Sequence, residues 1–421
     1  MKQRVVNTVL IAVLALNLYV GTRNYLNSAE TEGRQDVYGQ MEKFTRVLEE
    51  VRRHYVDEGK VSYNDLVESA LQGMVSRLDP HSAYLTVKKH DALKNDTKQQ
   101  FGGIGVMISI RNEWLTVVEP MEGGPGAKAG LLSGDRIIKI GEKPTKGFTT
   151  QDAVDVLRGK PGTEVAITIQ RGKDTEEEIK LVREIIKTKS VRDLFGQGNF
   201  DLLENQIGYV RLRGFSGKTA TELENALAQM EKAGMKALVL DLRDNPGGLL
   251  TQSVRVTEMF VKKGQLVVST EGRNAREQEK HFAMTGKQHK LPMVVLVNGG
   301  SASASEIVAG CLQDLKRADL VGTKTYGKGS VQSILPLRDG SAIRLTTAKY
   351  YTHSHRIIHE KGIEPDHKVD MTPEQIRDIV LQRSPAGLSD LSEEEQTRIK
   401  AAKDLQLEKG LELLRAKLLE K

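Results

Sequence analysis

The chain has 421 residues, which is enough for two or three domains with their own hydrophobic cores. Hydrophobic residues make up 38% of it and charged residues 28%, a balance typical of a soluble globular protein apart from one N-terminal segment. The net charge of +6 comes without a basic patch interleaved with aromatic residues, so nucleic-acid binding is unsupported, and the single cysteine excludes an intrachain disulfide.

The N-terminal segment has the pattern of an export sequence. Lys2 and Arg4 precede an apolar run from Val5 to Val20, which is shorter than the roughly 20 residues that span a bilayer comfortably. Because basic residues precede the run, we expect the rest of the chain to lie outside the cytoplasm. Residues 1–28 are therefore predicted to be a secretory signal or a signal anchor, and the sequence leaves both open.

Residues 35–97 are predicted to be helical. Apolar residues recur there with the i, i+3, i+4 spacing of an amphipathic helix, from Met41 to Tyr55. The C-terminal region, residues 373–421, repeats this pattern in LQLEKGLELLRAKLL. Each apolar stripe needs a partner, which is either the core of the same chain or a second subunit.

Residues 98–185 combine short alternating strands with one helix. The strands are WLTVVEP, EVAITIQR and EEIKLVRE, and the helix is TTQDAVDVLRG. A glycine-containing stretch, FGGIGV from Phe101 to Val106, opens this region. Taken alone it is also typical of a glycine bulge in an ordinary strand.

Residues 186–372 alternate strands and helices, which predicts an α/β core. KALVLDLRDNPGG is a buried apolar strand running into a Pro-Gly-Gly turn. Sheets of this class build sites at such strand ends, although a plain strand-to-helix turn gives the same pattern. Farther along, ILPLRDGSAIRLTTAKYY predicts a hairpin with an Asp-Gly turn at 339 and 340.

Three alternating serines lie where the strand LPMVVLV turns into the next helix. Ser303 with Glu306 fits a capping box, and a nucleophile at a helix N-terminus gains from the exposed backbone N–H groups. Ser301 lies in GGSAS, close to a G-x-S-x-G elbow, but the final glycine is missing. Spacing alone leaves Ser301, Ser303 and Ser305 open as candidates.

A glycine-flanked lysine follows in GKGSVQ. A serine needs a base to take its proton, and a lysine is that base only when burial lowers its pKa from about 10.4 toward neutrality. An amide can orient the amine without adding charge. If the segment is a strand, Lys328 and Gln332 lie on one face. A solvated lysine in a glycine-rich hairpin is the alternative.

Two other patterns point to sites that we do not predict. GTKTYGKG at 322–329 nearly fits a phosphate-binding loop, but Gly329 replaces the hydroxyl residue. His353, His355 and His359 lack the cysteines or spaced carboxylates of a metal site. We therefore predict no metal and no cofactor, and we interpret Cys311 as a core residue.

The motifs VNGGSASASEIVAG and VGTKTYGKGSVQ together resemble the carboxyl-terminal processing (tail-specific) proteases, which are Ser-Lys endopeptidases with a PDZ domain. The resemblance implies that Ser303, Lys328 and Gln332 form the catalytic set. It also implies an oxyanion hole made by the backbone N–H groups of Gly248 and Ala304. The segment ALQGMVSRLDPHSAYL is similar to the same family.

The resemblance implies a multidomain α/β fold: a crotonase-like catalytic core with a mixed sheet at 186–372, an inserted PDZ domain at 98–185, and helical N- and C-terminal segments. PDZ domains bind an extended peptide at a sheet edge. The implied tail-binding residues are Phe101, Gly102, Gly103, Ile104, Gly105 and Val106, with Arg158 contacting substrate or the catalytic domain. The family more often has a Pro-Ser-Gly turn where this chain has the histidines of residues 353–360.

The sequence thus predicts an extracytoplasmic, membrane-associated serine endopeptidase that cleaves proteins near their C-termini. The implied partners are exposed C-terminal tails, a membrane, a second copy in a dimer, and an activator protein. A PDZ scaffold with an inactive or partner-dependent hydrolase domain is the alternative. The chain contains no S-x-x-K motif, which argues against a β-lactamase or a penicillin-binding protein.

Overall fold

The structure is a computed structural model of the 421-residue chain. The residues that it describes are 19, 37–97, 100–111, 113–121, 123–172, 175–196, 198–285, 288–383 and 391–420. Apart from Tyr19, the predicted signal segment at 1–28 lies outside these residues. The chain divides into two compact units between Tyr84 and Leu85, and each is described by itself.

The first unit contains two helices joined by a 3₁₀ turn, as its amphipathic pattern predicts. They are α1 (37–54), the turn Glu58–Lys60, and α2 (Tyr63–Ser76). Ser62 caps α2, because its side chain accepts a hydrogen bond from the Asp65 N–H. No helix among the described residues combines the length and apolar character needed to cross a membrane.

The first half of the second unit is an antiparallel β region with three helices. After β1 (Ala83–Leu85), which spans the division, its elements are α3 (Val87–Thr97), β2 (Gln100–Gly103), β3 (Val106–Arg111), β4 (Trp114–Pro120), α4 (Pro125–Lys128), β5 (Arg136–Ile140), β6 (Lys143–Pro144), α5 (Thr150–Leu157), β7 (Glu164–Arg171), β8 (Thr175–Val182) and β9 (Glu184–Lys187). The strand order is β3-β4-β5-β7-β8, with β6 beside β5, and β2 pairs with β9. Alternating apolar residues of these strands, such as Ile167 and Ile169, form its buried core.

The second half is built on a six-stranded sheet. Its elements in chain order are β10 (Val191–Arg192), the 3₁₀ turn Glu204–Gln206, β11 (Ile207–Leu212), α6 (Thr219–Lys232), β12 (Ala237–Asp241), α7 (Leu250–Thr257), β13 (Leu266–Gly272), the 3₁₀ turn Ala275–Glu277, β14 (Glu279–Phe282), β15 (Met293–Val297), α8 (Ala304–Asp314), β16 (Asp319–Gly322), β17 (Ser330–Pro336), β18 (Ala342–Tyr351), β19 (His367–Lys368), α9 (Pro373–Gln382), α10 (Glu393–Lys400) and α11 (Leu405–Leu419). The strand order is β10-β11-β12-β15-β16-β19. All neighbours are parallel except β10 and β11, so the predicted mixed α/β sheet is confirmed.

Helices cover both faces of this sheet, which explains why β12 and β15 are apolar at every position but one. Residues of α6, α7 and α8 pack against one face. Leu407 and Leu414 of α11 pack against the other face. The apolar stripe of the C-terminal helix is therefore buried in the core of its own chain.

A second sheet is antiparallel, with β17, β18, β13 and β14 as successive neighbours. The predicted hairpin is confirmed as β17 and β18, and Asp339 and Gly340 lie in its turn. The hairpin begins two residues after Lys328, and β18 returns to this segment, because the Tyr350 N–H donates to the Gly329 carbonyl.

Candidate active site

The three serines of the SASAS segment have different surroundings. The Ser301 hydroxyl donates to the Leu242 carbonyl over 2.8 Å, and the Ser305 hydroxyl donates to the Asn245 carbonyl over 2.8 Å. Both side chains are fully buried, whereas Ser303 is only partly buried. Of the three, Ser303 alone is accessible to a substrate.

Ser303 occupies a strained position between β15 and α8. Its backbone has φ 54° and ψ −115°, which an L-residue other than glycine rarely adopts. The chain turns sharply here from a buried strand into a buried helix. That turn directs Ser303 away from the core while its neighbours Ala302 and Ala304 stay buried.

Glu306 is the buried acceptor at the centre of the site. One carboxylate oxygen accepts hydrogen bonds from the Thr325 hydroxyl (2.5 Å) and the Gly327 N–H (2.8 Å). The other accepts from the Ser303 N–H (2.8 Å) and the Lys328 N–H (2.9 Å). Burial raises the pKa of the Glu306 carboxyl, and these four hydrogen bonds oppose that rise. The capping box anticipated the bond to Ser303 but none of the bonds to the segment 19 to 22 residues away.

Ser303 and Lys328 are thereby brought together, since their backbone N–H groups share one oxygen of Glu306. Tyr350, another residue that sequence patterns missed, donates its buried hydroxyl to the Lys328 carbonyl. Burial, then the charge of Glu306, raises the pKa of Tyr350 well above its usual value, and a hydrogen bond with the Ser303 side chain opposes the rise. Tyr350 therefore stays neutral between the two residues.

The glycines around Lys328 are needed for close packing. A Cβ on Gly329 would lie 2.3 Å from the His359 nitrogen, and one on Gly327 would lie 3.0 Å from the Gly362 nitrogen. Gly327 also has a φ of +94°. Glycine at these positions lets the segment containing Lys328 lie directly against residues 359–362.

The sequence places Lys328 and Gln332 on one face only if GKGSVQ is a strand throughout, and this condition is not met. Strand β17 begins at Ser330, after Lys328, and its register shifts between Val331 and Gln332. Such a bulge interrupts the two-residue alternation on which the prediction depended. The Gln332 amide donates to the Ser330 hydroxyl over 2.9 Å and to the Thr346 hydroxyl over 3.4 Å.

The loop after β12 lies directly against Ser303. A Cβ on Gly247 would lie 2.8 Å from the Cβ of Ser303, and one on Gly248 would lie 2.2 Å from the Phe215 carbonyl oxygen. Their φ angles are +100° and +143°, so both positions require glycine. Buried Asn245 fixes the loop, because its amide donates to the Leu212 carbonyl and its side-chain oxygen accepts the Gly247 N–H.

Two backbone N–H groups are available beside Ser303. Within the described part of the chain, neither the Gly248 N–H nor the Ala304 N–H donates to a protein acceptor. Ala304 is the first residue of α8, where unpaired N–H groups and the helix dipole favour negative charge. This arrangement can bind the oxyanion of a tetrahedral intermediate.

The segment predicted as a tail-binding loop is largely strand. Phe101, Gly102 and Gly103 belong to β2, which pairs with β9, and Val106 begins β3. Only Ile104 and Gly105 lie between the strands, so the predicted loop from 101 to 106 is too long. Glycine is needed at 102 because an added Cβ would lie 2.0 Å from the Gly159 carbonyl oxygen, and at 105 because its φ is +65°.

Residues 104 and 105 are held by backbone contacts. The Ile104 carbonyl accepts the Gly126 N–H and the Gly105 carbonyl accepts the Met121 N–H, each over 2.8 Å. The Arg158 guanidinium lies 4.1 Å from the centre of the Phe101 ring, a cation–π distance. Arg158 therefore contacts the edge predicted to bind substrate, and it does so through Phe101.

The three histidines have separate partners. His353 Nδ1 lies 2.8 Å from the Leu266 carbonyl and His355 Nε2 lies 2.8 Å from Glu271, whereas His359 packs along Gly329. No group of three candidate metal ligands is found among the described residues. Cys311 is fully buried in the core, where burial raises the pKa of its thiol to about 12.

Three family models match the chain in order. They describe the N-terminal domain of the activating protease CtpB at residues 15–89, a PDZ domain at 116–171, and peptidase family S41 at 206–369. The S41 match contains Ser303, Glu306, Lys328 and Gln332. The PDZ match contains Arg158.

The chain is also similar to curated proteins along most of its length. It is 43% identical over 369 residues to the carboxy-terminal-processing protease of Bartonella bacilliformis, with 85% of this chain and 82% of that protein covered. This chain belongs to the carboxy-terminal processing protease family. Another member, the carboxy-terminal processing protease CtpA of Bacillus subtilis, is 32% identical, with 85% of this chain and 74% of that protein covered.

A solved structure supports the family fold. The putative S41 protease of Bacteroides fragilis matches with a TM-score of 0.52 and 17% identity, covering 85% of this chain and 95% of that one. At this identity the match supports the fold alone. This carboxy-terminal processing protease thus combines the S41 α/β architecture and a PDZ domain in one chain.

Proposed function

We propose that this carboxy-terminal processing protease is a serine endopeptidase in which Ser303 is the nucleophile and Lys328 is the general base. The observation that carries the proposal is the selective exposure of Ser303. Ser301 and Ser305 are buried and donate to backbone carbonyls, whereas Ser303 lies beside two unpaired N–H groups and is joined to Lys328 through Glu306.

In the proposed first step, the neutral amine of Lys328 takes the Ser303 proton while Oγ attacks the peptide carbonyl carbon. The carbonyl oxygen becomes an oxyanion that accepts hydrogen bonds from the Gly248 and Ala304 N–H groups. The Lys328 ammonium then protonates the leaving nitrogen, and the C–N bond breaks to give an acyl-enzyme and the C-terminal fragment.

In the second step, water replaces the leaving group. Lys328 takes one water proton as the oxygen attacks the ester, and it returns this proton to Ser303 Oγ as the C–O bond breaks. Gln332 is proposed to orient the Lys328 amine; its own amide is held by the Ser330 hydroxyl of the same strand and the Thr346 hydroxyl of β18. Glu306 holds the backbones of Ser303 and Lys328 and takes no proton in this cycle.

We propose that the PDZ domain, residues 98–185, binds the C-terminal tail of an unfolded protein at the edge formed by residues 101–106. In sequence, this domain and the proposed catalytic core at 186–372 lie between the helical regions at 35–97 and 373–421. The apolar residues exposed along α1, such as Met41 and Phe44, support a dimer contact. Residues 1–28 export or anchor the chain outside the cytoplasm, where an activator protein can act on it.

Cleavage of an unfolded protein with an apolar C-terminal tail tests this function. Residues 29–421 are compared with Ser303→Ala and Lys328→Ala, and products are identified by mass spectrometry. We expect cleavage by the parent and a loss of at least about 1,000-fold in each variant, because the serine and its base act as a unit. Cleavage that survives in Ser303→Ala would move the nucleophile to Ser301 or Ser305. A parent that binds the tail without cutting it would support the scaffold alternative.

A further inference from the structure

A buried ionic network lies beneath the loop that carries Gly248. Strand β12 ends at Asp241, which is fully buried, and Arg243 follows it with only 8% of its surface exposed. The Arg243 guanidinium donates to both oxygens of Asp241, with a shortest distance of 2.6 Å. Tyr209 donates its hydroxyl to the same carboxylate over 2.6 Å.

The other side of Arg243 is paired with the C-terminal region. Both of its terminal nitrogens donate to Asp404, each over 2.9 Å, which is the bidentate geometry of a strong ion pair. Asp404 caps α11 through the Leu407 N–H, and it accepts a further bond from Arg383 over 2.7 Å. Asp404 is therefore fixed by α11 and by the residue after α9.

The charges of this network balance only when Asp404 is present. Two arginines, Arg243 and Arg383, face two carboxylates, Asp241 and Asp404. Without Asp404, the remaining members would carry a net positive charge in a buried site. A buried charge that loses its partner is strongly destabilised, so Arg243 would have to move or draw in water.

Movement of Arg243 would reach the loop next to Ser303. The Arg243 carbonyl accepts a hydrogen bond from Arg211, and the next N–H, that of Asp244, donates to Asn298 just before the serine segment. Asn245 then fixes Gly247 and accepts the Ser305 hydroxyl. Hydrogen bonds and the backbone from Arg243 to Gly247 thus connect Asp404 to the residue before Gly248.

We propose that Asp404 is a positioning residue for the oxyanion hole, which it reaches through Arg243. The C-terminal region is then part of the catalytic unit, although it lies beyond the S41 match at 206–369. This inference rests on the proposed function and adds a residue to it. Asp404 touches no substrate; it sets where the Gly248 N–H lies relative to Ser303.

The test uses residues 29–421 with Asp404→Asn and Asp404→Glu. The neutral variant keeps the size of the side chain and removes its charge, so we expect kcat to fall on the order of 10- to 100-fold, as for small misplacements of catalytic groups. KM should stay within about twofold, because oxyanion contacts form in the transition state. Asp404→Glu restores the charge and should recover part of kcat.

The affinity for a transition-state analogue distinguishes a positioning role from a purely structural role, because a loss of stability alone would not change it. A peptide aldehyde forms an adduct with Ser303 that carries the oxyanion. Its affinity for Asp404→Asn should be lower than for the parent by the same factor as kcat falls, whereas a product peptide should bind the variant and the parent equally. Hydrogen exchange of residues 244–250 should rise in the same variant, whether or not the parent cleaves the chosen substrate.

Asp378→Asn is the matched control. Asp378 is also a buried acid of the C-terminal region, paired with Arg398 over 3.0 Å, but it does not contact Arg243. The Asp378→Asn variant should have a lower melting temperature, with kcat and the hydrogen exchange of residues 244–250 unchanged. If Asp404→Asn lowers only the melting temperature, as this control does, the positioning role is overturned. If the parent is inactive but hydrogen exchange of residues 244–250 still rises in Asp404→Asn, only the proposed function is overturned.

Discussion

The catalytic loops and the candidate tail-binding edge are held in place by different interactions. Around Ser303, buried polar groups fix the backbone: Glu306 accepts four hydrogen bonds and Asn245 fixes Gly247. At residues 101–106, backbone hydrogen bonds position the chain, both in the pairing of β2 with β9 and from the Gly126 and Met121 N–H groups, and Arg158 contacts Phe101. A rigid geometry suits a transition state, and an open strand edge suits tails of varied sequence. We therefore expect substitutions near Ser303 to change kcat and those near Phe101 to change KM.

Gly248→Ala should have the largest effect. The added Cβ would lie 2.2 Å from the Phe215 carbonyl oxygen at a φ of +143°, so the loop must move away from Ser303. We expect kcat to fall at least about 100-fold, the loss that follows removal of one oxyanion donor. Steady-state kinetics with a tail-bearing protein measures this.

Gly264→Ala is its control. Gly264 also has a positive φ, +83°, but nothing lies within 4 Å of its added Cβ. It should cost about 1 kcal/mol of stability and leave kcat unchanged. Equal losses of kcat in the two variants would show that the effect comes from backbone strain and not from the position of the loop.

Glu306→Gln should have the next largest effect. An amide offers one oxygen and a donor where the carboxylate accepts four hydrogen bonds, so two of the four donors lose their acceptor. We expect kcat to fall on the order of 10- to 100-fold, because the backbones of Ser303 and Lys328 lose their common acceptor. The measurement is kcat and KM beside the melting temperature.

Glu395→Gln provides the comparison for that variant. Glu395 holds the same third position of a capping box, at the start of α10, away from Ser303. Glu395→Gln should lower the melting temperature slightly without changing kcat. A fall in melting temperature without a fall in kcat in Glu306→Gln would contradict the role of its carboxylate.

Lowering the pH should destabilise the fold of the catalytic region, because Asp241 becomes protonated. Burial raises the pKa of this carboxyl, but the charge and hydrogen bonds of Arg243 outweigh burial and lower it to about 2. A carboxyl with a lowered pKa stabilises the fold above its ordinary pKa, and this contribution is lost as the pH falls from about 4 to about 2. We expect the free energy of unfolding, measured with urea, to fall by about 2 kcal/mol over this pH range.

The single tryptophan allows the two regions to be compared in that experiment. Trp114 lies in β4, so its fluorescence reports on the PDZ domain, while hydrogen exchange of β12 reports on the catalytic region. Exchange in β12 should rise before the fluorescence changes. The reverse order would place the acid-sensitive groups in the PDZ domain.

Arg158→Ala should have the smallest effect. It removes the cation–π contact with Phe101, which contributes about 0.5–1 kcal/mol, so KM for a tail-bearing substrate should rise roughly two- to fivefold with kcat unchanged. The control is the same substrate with an amidated C-terminus. The KM values of the free and amidated substrates should differ less in Arg158→Ala than in the parent. A fall in kcat instead would indicate that Arg158 acts on the catalytic region.

Local patterns predicted the elements well, because periodicity and turn chemistry act over a few residues. The hairpin at Asp339 and Gly340 and the amphipathic helix from Met41 are examples. The bulge at Gln332 was missed, since it depends on pairing with β18 and not on local alternation. In residues 353–360, where the resemblance implies a different turn, His355 and Glu360 adopt positive φ without glycine.

Long-range contacts account for the rest of the site. Spacing alone left three serines open, and the structure separates them because Leu242 and Asn245, about 60 residues away, accept two of the hydroxyls. Glu306 was interpreted only as a helix cap. Asp404 lies 161 residues from Arg243, a separation that periodicity does not bridge. Residues 1–28 and their membrane role remain predictions.

Covalent labelling tests the central claim most directly. Residues 29–421 are treated with a fluorophosphonate, which reacts with activated serines, and the modified peptide is mapped by mass spectrometry beside Lys328→Ala. We expect a single adduct on Ser303 that is lost in Lys328→Ala, because Ser303 is the accessible one of the three serines in the SASAS segment and the amine activates it. An adduct on Ser301 or Ser305, or labelling that persists in Lys328→Ala, would contradict it.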